Sequence, residues 1–415
     1  MEVLKIATAG SVDDGKSTLI GRILYDTKSL TDDKIEAIEQ KSRSLGYDYL
    51  DFSLATDGLV AEREQGITID VAHIYFSTAN RSYIIADTPG HVEYTRNMVT
   101  GASTSQASII LVDARNGVIE QTRRHFFINN LLRVKDIIIA VNKMDLVDFD
   151  ESKFNEIKSE VETLTAEANY KNQTITFIPV SALKGDNVAT RSTKTPWYKG
   201  KTLLEHLESI ENKDVYETAA ARFPVQSVIR PKQAEYHDYR AYAGKLYGND
   251  LSVGDEVTIL PSLTKSKIKE IQFFGKNYDT AKRGSSLTIS LENDVNVSRG
   301  DLIVKSDEIP KSTKLLNATI CWMDKNPLRG ASKYKLQHGT NTMLAKVKQI
   351  DSLFEMEGGQ KQTDTETLQL NDIGQVSLQL NKALFFDTYA QNKSTGYFIL
   401  IDNQSNTTAG VGFIN

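Results

Sequence analysis

Eight consecutive residues, Gly10-Ser11-Val12-Asp13-Asp14-Gly15-Lys16-Ser17, have the types and spacing to hold a polyphosphate. Glycines at both ends let a loop turn tightly and aim backbone N–H groups inward at phosphate oxygens. Lys16 would place a point charge on the β- and γ-phosphates, and the Ser17 hydroxyl, with Thr18 beside it, is a hard oxygen ligand for Mg²⁺. A glycine-rich turn with no ligand would explain the glycines alone. Against that, the loop is entered from an apolar run, Val3 to Ala9, and left through a helix-like run, Ser17 to Tyr25. Strand, loop and helix in that order also bring the positive end of a helix dipole to the phosphates.

Three further stretches carry matching chemistry. Asp87-Thr88-Pro89-Gly90 ends an apolar strand, Tyr83 to Ala86, so Asp87 can hold Mg²⁺ through water while the Gly90 N–H approaches a third phosphate. Asn142-Lys143-Met144-Asp145 follows another apolar strand and selects the base. The Asp145 carboxylate can accept both N1–H and N2–H₂ of guanine, and adenine offers no such pair of donors; a charge-assisted bond of about 1.5–3 kcal/mol makes the mismatch costly. Asn142 would bond the ring edge or brace the phosphate loop, and the aliphatic part of Lys143 would cover the base plane. Ser181-Ala182-Leu183, after the strand Phe177 to Val180, would add a backbone N–H to the base carbonyl. Between the first two stretches, Thr68 in Gln65-Gly66-Ile67-Thr68-Ile69 can supply a second hydroxyl to Mg²⁺ once its loop is ordered. A charged loop entering a strand describes Glu62 to Gln65 equally well. Together these residues predict a site for GTP and Mg²⁺.

The elements that must position them alternate through the first half. Strands are expected at 3–9, 69–76, 82–86, 107–112, 136–141 and 174–180, with helices at 17–25, 31–44, 93–103, 119–132, 151–168 and 202–211. Runs such as Ile109-Ile110-Leu111-Val112 suit strands covered on both faces. The expected fold is an α/β P-loop GTPase domain, a mostly parallel doubly wound sheet, over 1–217. Texture changes near Pro224: five of the eight prolines lie between there and Pro327, and short β-rich segments replace amphipathic helices. Two small antiparallel β-barrel domains are expected, 218–308 and 309–415, joined near Ile309-Pro310. At 415 residues the chain is long enough for several cores, and 40% hydrophobic with 25% charged residues is ordinary for a soluble globular protein. A lone cysteine, Cys321, excludes an internal disulfide and a cysteine metal cluster. With a net charge of −5, no long apolar run and a strand starting at Val3, the expectation is a cytoplasmic protein with neither a membrane nor a nucleic-acid partner.

In Gln-Gly-Ile-Thr-Ile (65–69) and Asp-Thr-Pro-Gly-His (87–91) the chain resembles translation-factor-type GTPases. That resemblance implies that His91 orients the attacking water, and that Asp13 lies where the superfamily places a monovalent cation, K⁺ or Na⁺, although an Asp there can also simply brace its turn. On this basis the catalytic set is His91, Lys16 and Thr68. Translation factors carry histidines where this loop has Ser11 and Asp14. The form seen here is similar to the large GTP-binding subunit family of bacterial ATP sulfurylase, as are the stretches 57–64, 94–103, 121–125, 185–188, 196–198, 222–226 and 298–301. Membership would imply a heteromer. A small partner subunit would make adenosine 5′-phosphosulfate and pyrophosphate from ATP and sulfate, and GTP hydrolysis on this chain would be coupled to it. Some relatives carry a fused adenylylsulfate kinase; with no second P-loop before Asn415, no kinase activity is expected here. The competing reading is an elongation factor delivering aminoacyl-tRNA, which shares all the nucleotide motifs. A regulatory GTPase without coupled chemistry is a third.

Overall fold

The computed structural model describes residues 3–55, 70–90, 95–167, 170–211, 219–230, 239–354, 361–363 and 365–415. Thr68 and His91, with the rest of 56–69 and 91–94, lie outside them. The described residues form two compact units, one running to residue 211 and one from residue 219 onward.

In the first unit β1 (Val3–Ala9) leads into α1 (Lys16–Asp26) and α2 (Asp32–Ser44), then a short 3-10 turn at Phe52–Ala55. There follow β2 (Ala72–Ser77), β3 (Ser82–Asp87), α3 (Thr95–Ser103), β4 (Ala107–Asp113), α4 (Glu120–Leu131), β5 (Asp136–Asn142), α5 (Glu151–Glu167), β6 (Thr174–Pro179) and α6 (Leu203–Ser209). The sheet order is β2-β3-β1-β4-β5-β6, parallel except for the edge strand β2, which runs antiparallel to β3. Every residue of β4 is buried, as its unbroken apolar run demands of a strand with helices on both faces. Edge strand β2 instead leaves His73 and Tyr75 exposed. Helix α6 begins with a capping box, in which the Thr202 side chain and the Glu205 backbone N–H, and the Glu205 side chain and the Thr202 N–H, satisfy one another. Chain connections run to opposite sides of β1, so the carboxyl ends of β1 and β4 lie at the switch point where α/β sheets bind ligands.

The second unit holds two barrels. In the first are β7 (Arg222–Ile229), β8 (Ala241–Lys245), β9 (Leu251–Ser252), β10 (Glu256–Leu260), β11 (Thr264–Phe273), β12 (Lys276–Tyr278), β13 (Thr280–Ala281), β14 (Ser286–Leu291) and β15 (Leu302–Lys305). Strands β10-β15-β7-β8-β14-β11 pair antiparallel, and β10 pairs with β11 to close the ring. Phe223, Tyr242, Ile259 and Ile289 are among the side chains that fill it. In the second barrel are β16 (Lys311–Trp322), β17 (Leu328–Arg329), β18 (Lys333–His338), β19 (Asn341–Phe354), β20 (Lys361–Gln362), β21 (Thr367–Leu368), β22 (Ile373–Phe386), β23 (Tyr397–Ile401) and β24 (Thr408–Ile414). Here β18-β23-β24-β16-β22-β19 close through the β18–β19 pair around Trp322, Phe398 and Leu378. Closure leaves the six ring strands of each barrel without an open edge. The chain is thus an α/β P-loop domain followed by two antiparallel barrels.

Candidate nucleotide site

Strand register assembles the site. Thr8 lies beside Asp87 across β1 and β3, and Asp113 beside Asn142 across β4 and β5, so the chemistry-bearing residues emerge at one end of the sheet. The loop between β1 and α1 is held from several directions. Its Ser11 N–H donates to the Asp14 carboxylate at 2.6 Å, the Asn142 amide donates to the Asp14 carbonyl at 2.7 Å, and Lys143 Nζ donates to the Asp13 carbonyl. Asp13 and Gly15 take left-handed conformations, φ 68° and 90°. A Cβ on Gly15 would lie 2.5 Å from the Asn142 amide, and one on Gly90 would lie 2.2 Å from the Gly10 carbonyl, so neither position has room for a side chain. Val12 is 40% exposed at the loop's tip.

Charges converge beneath the loop. Lys16 Nζ lies 2.6 Å from Asp87 Oδ1, both groups buried, and Thr8 Oγ1 donates to the same oxygen at 3.2 Å. Thr88 Oγ1 donates to the Thr8 carbonyl at 2.5 Å, tying the start of the Thr88-Pro89-Gly90 segment to β1. Burial pushes the Asp14 carboxyl up to about 7, against the Ser11 N–H that favours its ionised form. A lysine, a helix-start serine and a buried carboxylate at a glycine-walled loop are the donor set that a Mg²⁺-bound polyphosphate needs.

The far end of the site is set by β5 and β6. Asn142 is immobilised at both ends, since its Oδ1 accepts from the Ala182 N–H at 2.9 Å while its Nδ2 donates to Asp14. Asp145 lies in a 3-10 turn at Met144–Val147, half-buried, with Oδ1 accepting from Ser181 Oγ at 2.7 Å. The Ser181 N–H donates to the Asp186 carbonyl at 3.1 Å, and the Ala182 N–H is committed to Asn142. Met144 is fully buried and serves the core.

One functional residue escaped sequence reasoning. Asp113, at the end of β4, holds Lys143 Nζ at 3.0 Å and Arg115 Nη2 at 2.6 Å. Burial alone would raise its carboxyl, but the Arg115 and Lys143 hydrogen bonds outweigh this and hold it at about 2. Lys143 is thereby stretched between Asp113 and the Asp13 carbonyl with its stem lying along the site. The available signal was position: an acid closing a central strand, as Asp87 closes β3.

Residues 1–218 match the family model described as elongation factor Tu GTP binding domain, and residues 315–415 match GTP-eEF1A C-terminal domain-like. Such a domain implies GTP and Mg²⁺. The chain is 46% identical to "Bifunctional enzyme CysN/CysC" of Mycobacterium tuberculosis, covering 99% of this chain and 67% of that protein. It is 45% identical to "Sulfate adenylyltransferase subunit 1" of Colwellia psychrerythraea, covering 100% of this chain and 88% of that one. Among solved structures, sup35 complexed with GMPPNP matches at 20% identity and a TM-score of 0.45, covering 100% of this chain and 93% of that one. None of the helices among the described residues is long and apolar enough to cross a membrane.

Proposed function

Because the chain belongs to the sulfate adenylyltransferase subunit 1 family, built on an elongation factor Tu-type GTP-binding domain, we propose that it is the GTP-hydrolysing regulatory subunit of a heteromeric sulfate adenylyltransferase. The observation that carries this reading is 45–46% identity along essentially the whole chain, barrels included, to relatives so named. Identity over that span also sets aside aminoacyl-tRNA delivery. On this reading a small subunit carries the adenylyl-transfer chemistry, in the cytoplasm, and the chain divides at 1–217, 218–308 and 309–415.

Each residue has a role in that scheme. Lys16 places its charge on the β- and γ-phosphates, supported by amides of Gly10 to Thr18. Mg²⁺, held by the Ser17 and Thr68 hydroxyls and through water by Asp87, would neutralise phosphate charge. Gly90 presents its N–H to the γ-phosphate, and Thr88 and Pro89 shape that segment. His91 orients the attacking water. Asp145 accepts from the guanine edge, Lys143 covers the base plane, and Asn142 braces the phosphate loop against the Ser181-Ala182-Leu183 turn. Asp13 is a candidate ligand for K⁺ or Na⁺.

Reconstitution with the small subunit tests the reading. Sulfate-dependent pyrophosphate release should accelerate when GTP is added and should not accelerate with a non-hydrolysable analogue. Release indifferent to GTP would overturn the coupling, and co-purification of tRNA without a small subunit would overturn the function.

A further inference from the structure

A lysine side chain is a flexible stem, and nothing in its own chemistry keeps that stem against a flat ring. Lys143 is held at both of its ends. Its backbone is left-handed, φ 61°, just before the 3-10 turn that carries Asp145. A residue other than glycine keeps that conformation only where its surroundings enforce it. At the other end, Nζ donates to the Asp13 carbonyl of the phosphate loop and lies 3.0 Å from Asp113 Oδ2. The side chain therefore spans from the end of β5 to the phosphate loop, and its ammonium is shared between that loop and the end of β4.

The turn after β4 does not need the Asp113 carboxylate to close. The Asp113 carbonyl accepts the Asn116 and Gly117 N–H groups at 3.1 and 3.0 Å, and Gly117 supplies the positive φ, 68°. The carboxylate, 1% exposed, is instead aimed by Arg115. The Arg115 backbone N–H and Nε reach Oδ1 at 2.9 and 3.0 Å, and its Nη2 reaches Oδ2 at 2.6 Å, so the oxygen beside Lys143 is fixed in direction. A buried carboxylate is a costly group to keep beside a phosphate site. The Asp14 carboxyl on the loop already feels its charge, and a polyphosphate would be repelled by it. That repulsion has to be outweighed by what the carboxylate positions. We infer that Asp113, aimed by Arg115, is the positioning residue that sets how long a guanine nucleotide stays bound, by keeping the Lys143 stem against the base plane and its ammonium on the phosphate loop. The inference rests on the guanine-nucleotide reading of this site, and it concerns the base plane and the loop, whereas Asp145 reads the base edge.

Charge and positioning predict opposite signs, which makes the test decisive. Were the charge of Asp113 all that mattered, Asp113→Asn would tighten the hold on a polyphosphate; as a positioning residue, its loss loosens it. The variant keeps an oxygen for the Arg115 N–H and turns an amide toward Lys143. Displacement of N-methylanthraniloyl-GDP by excess GDP, followed by stopped-flow fluorescence, should show release about tenfold faster or more than in the parent chain. GTP and inosine triphosphate should lose affinity by the same factor, because the two share a base plane and differ only at the edge. In the Lys143→Met background, which keeps an apolar stem and has no ammonium to anchor, Asp113→Asn should not accelerate release further. Release from Asp113→Asn as slow as from the parent, or slower, overturns the inference while the guanine-nucleotide reading stands. An equal acceleration in the Lys143→Met background would place the effect in the turn itself, and an unequal loss for the two triphosphates would place it at the base edge; either result also sinks the positioning role. A parent chain that binds neither GDP nor GTP removes the reading of the site and the inference with it.

Discussion

In the proposed scheme Asp145 selects the base, and its surroundings set how strictly. The Ser181 hydroxyl pins Oδ1 at 2.7 Å, and the half-buried carboxylate is left as a directed acceptor. Asn in its place keeps an oxygen for N1–H but presents an amide donor toward the 2-amino group of guanine, whereas xanthine offers a carbonyl at that position. Asp145→Asn is therefore expected to weaken GTP binding by about tenfold to a hundredfold and to raise xanthosine triphosphate above GTP, read by calorimetric titration of both nucleotides. Unchanged GTP affinity would remove Asp145 from base recognition. At this scale most of the site was legible, because each motif sits where a strand ends and each residue type has one obvious use toward a nucleotide. Asp113 was not legible, since its hold on Lys143 exists only through the register of β4 with β5, thirty positions along the chain. The bonds of Asn142 to Asp14 and to Ala182 were likewise beyond a sequence that left its role open between base and loop.

Helix α4 shows what periodicity can and cannot deliver for an element. Its span agrees with the expected 119–132 to within a residue at each end. Its inward face, however, mixes Phe126 and Ile128 with Gln121, His125 and Asn129, three polar residues at a spacing of four. From sequence, His125 could be read only as a packing or surface residue. In the fold it is 1% exposed, with Nε2 3.0 Å from the Gln121 amide and no partner for Nδ1 among the described residues. Burial, helped by the positive charges of Arg124 and Lys16, pushes its pKa down to about 3. The sign follows directly. The folded chain keeps this imidazole neutral while the unfolded chain protonates below about 6.5, so its contribution is complete above 6.5 and is lost progressively as pH falls toward 3. The loss approaches about 1.4 kcal/mol per pH unit. His125→Gln, neutral throughout, should flatten the decline of the melting temperature between pH 6.5 and 5 in thermal scans. Parallel curves for the two proteins would show that His125 does not carry the acid sensitivity.

For the molecule as a whole, composition announced the barrels while their closure depended on long-range pairing that no local pattern encodes. What joins the two barrels is equally non-local. Arg222, on the first strand of the first barrel, meets Asp387, just beyond β22 of the second, through Nε–Oδ2 at 3.0 Å and Nη2–Oδ1 at 2.9 Å. The Arg222 side chain is 4% exposed, and its Nη1 donates to the Ala221 and Glu308 carbonyls at 3.0 and 2.9 Å. Asp387 also accepts from Thr395 Oγ1 at 2.8 Å. A fork bonded this fully gives geometry as well as energy. Removing one member leaves the other charge buried without its counterpart, which costs about 3–5 kcal/mol. Arg222→Met should lower the unfolding free energy of the barrel unit by that amount, followed in urea by the fluorescence of Trp322 in a Trp197→Phe background. Adding Asp387→Asn should recover a large part of the loss, because the stranded carboxylate is then neutral. Two single variants whose costs simply add in the double variant would show that the pair is not coupled, and the join between the barrels would then rest on apolar packing instead.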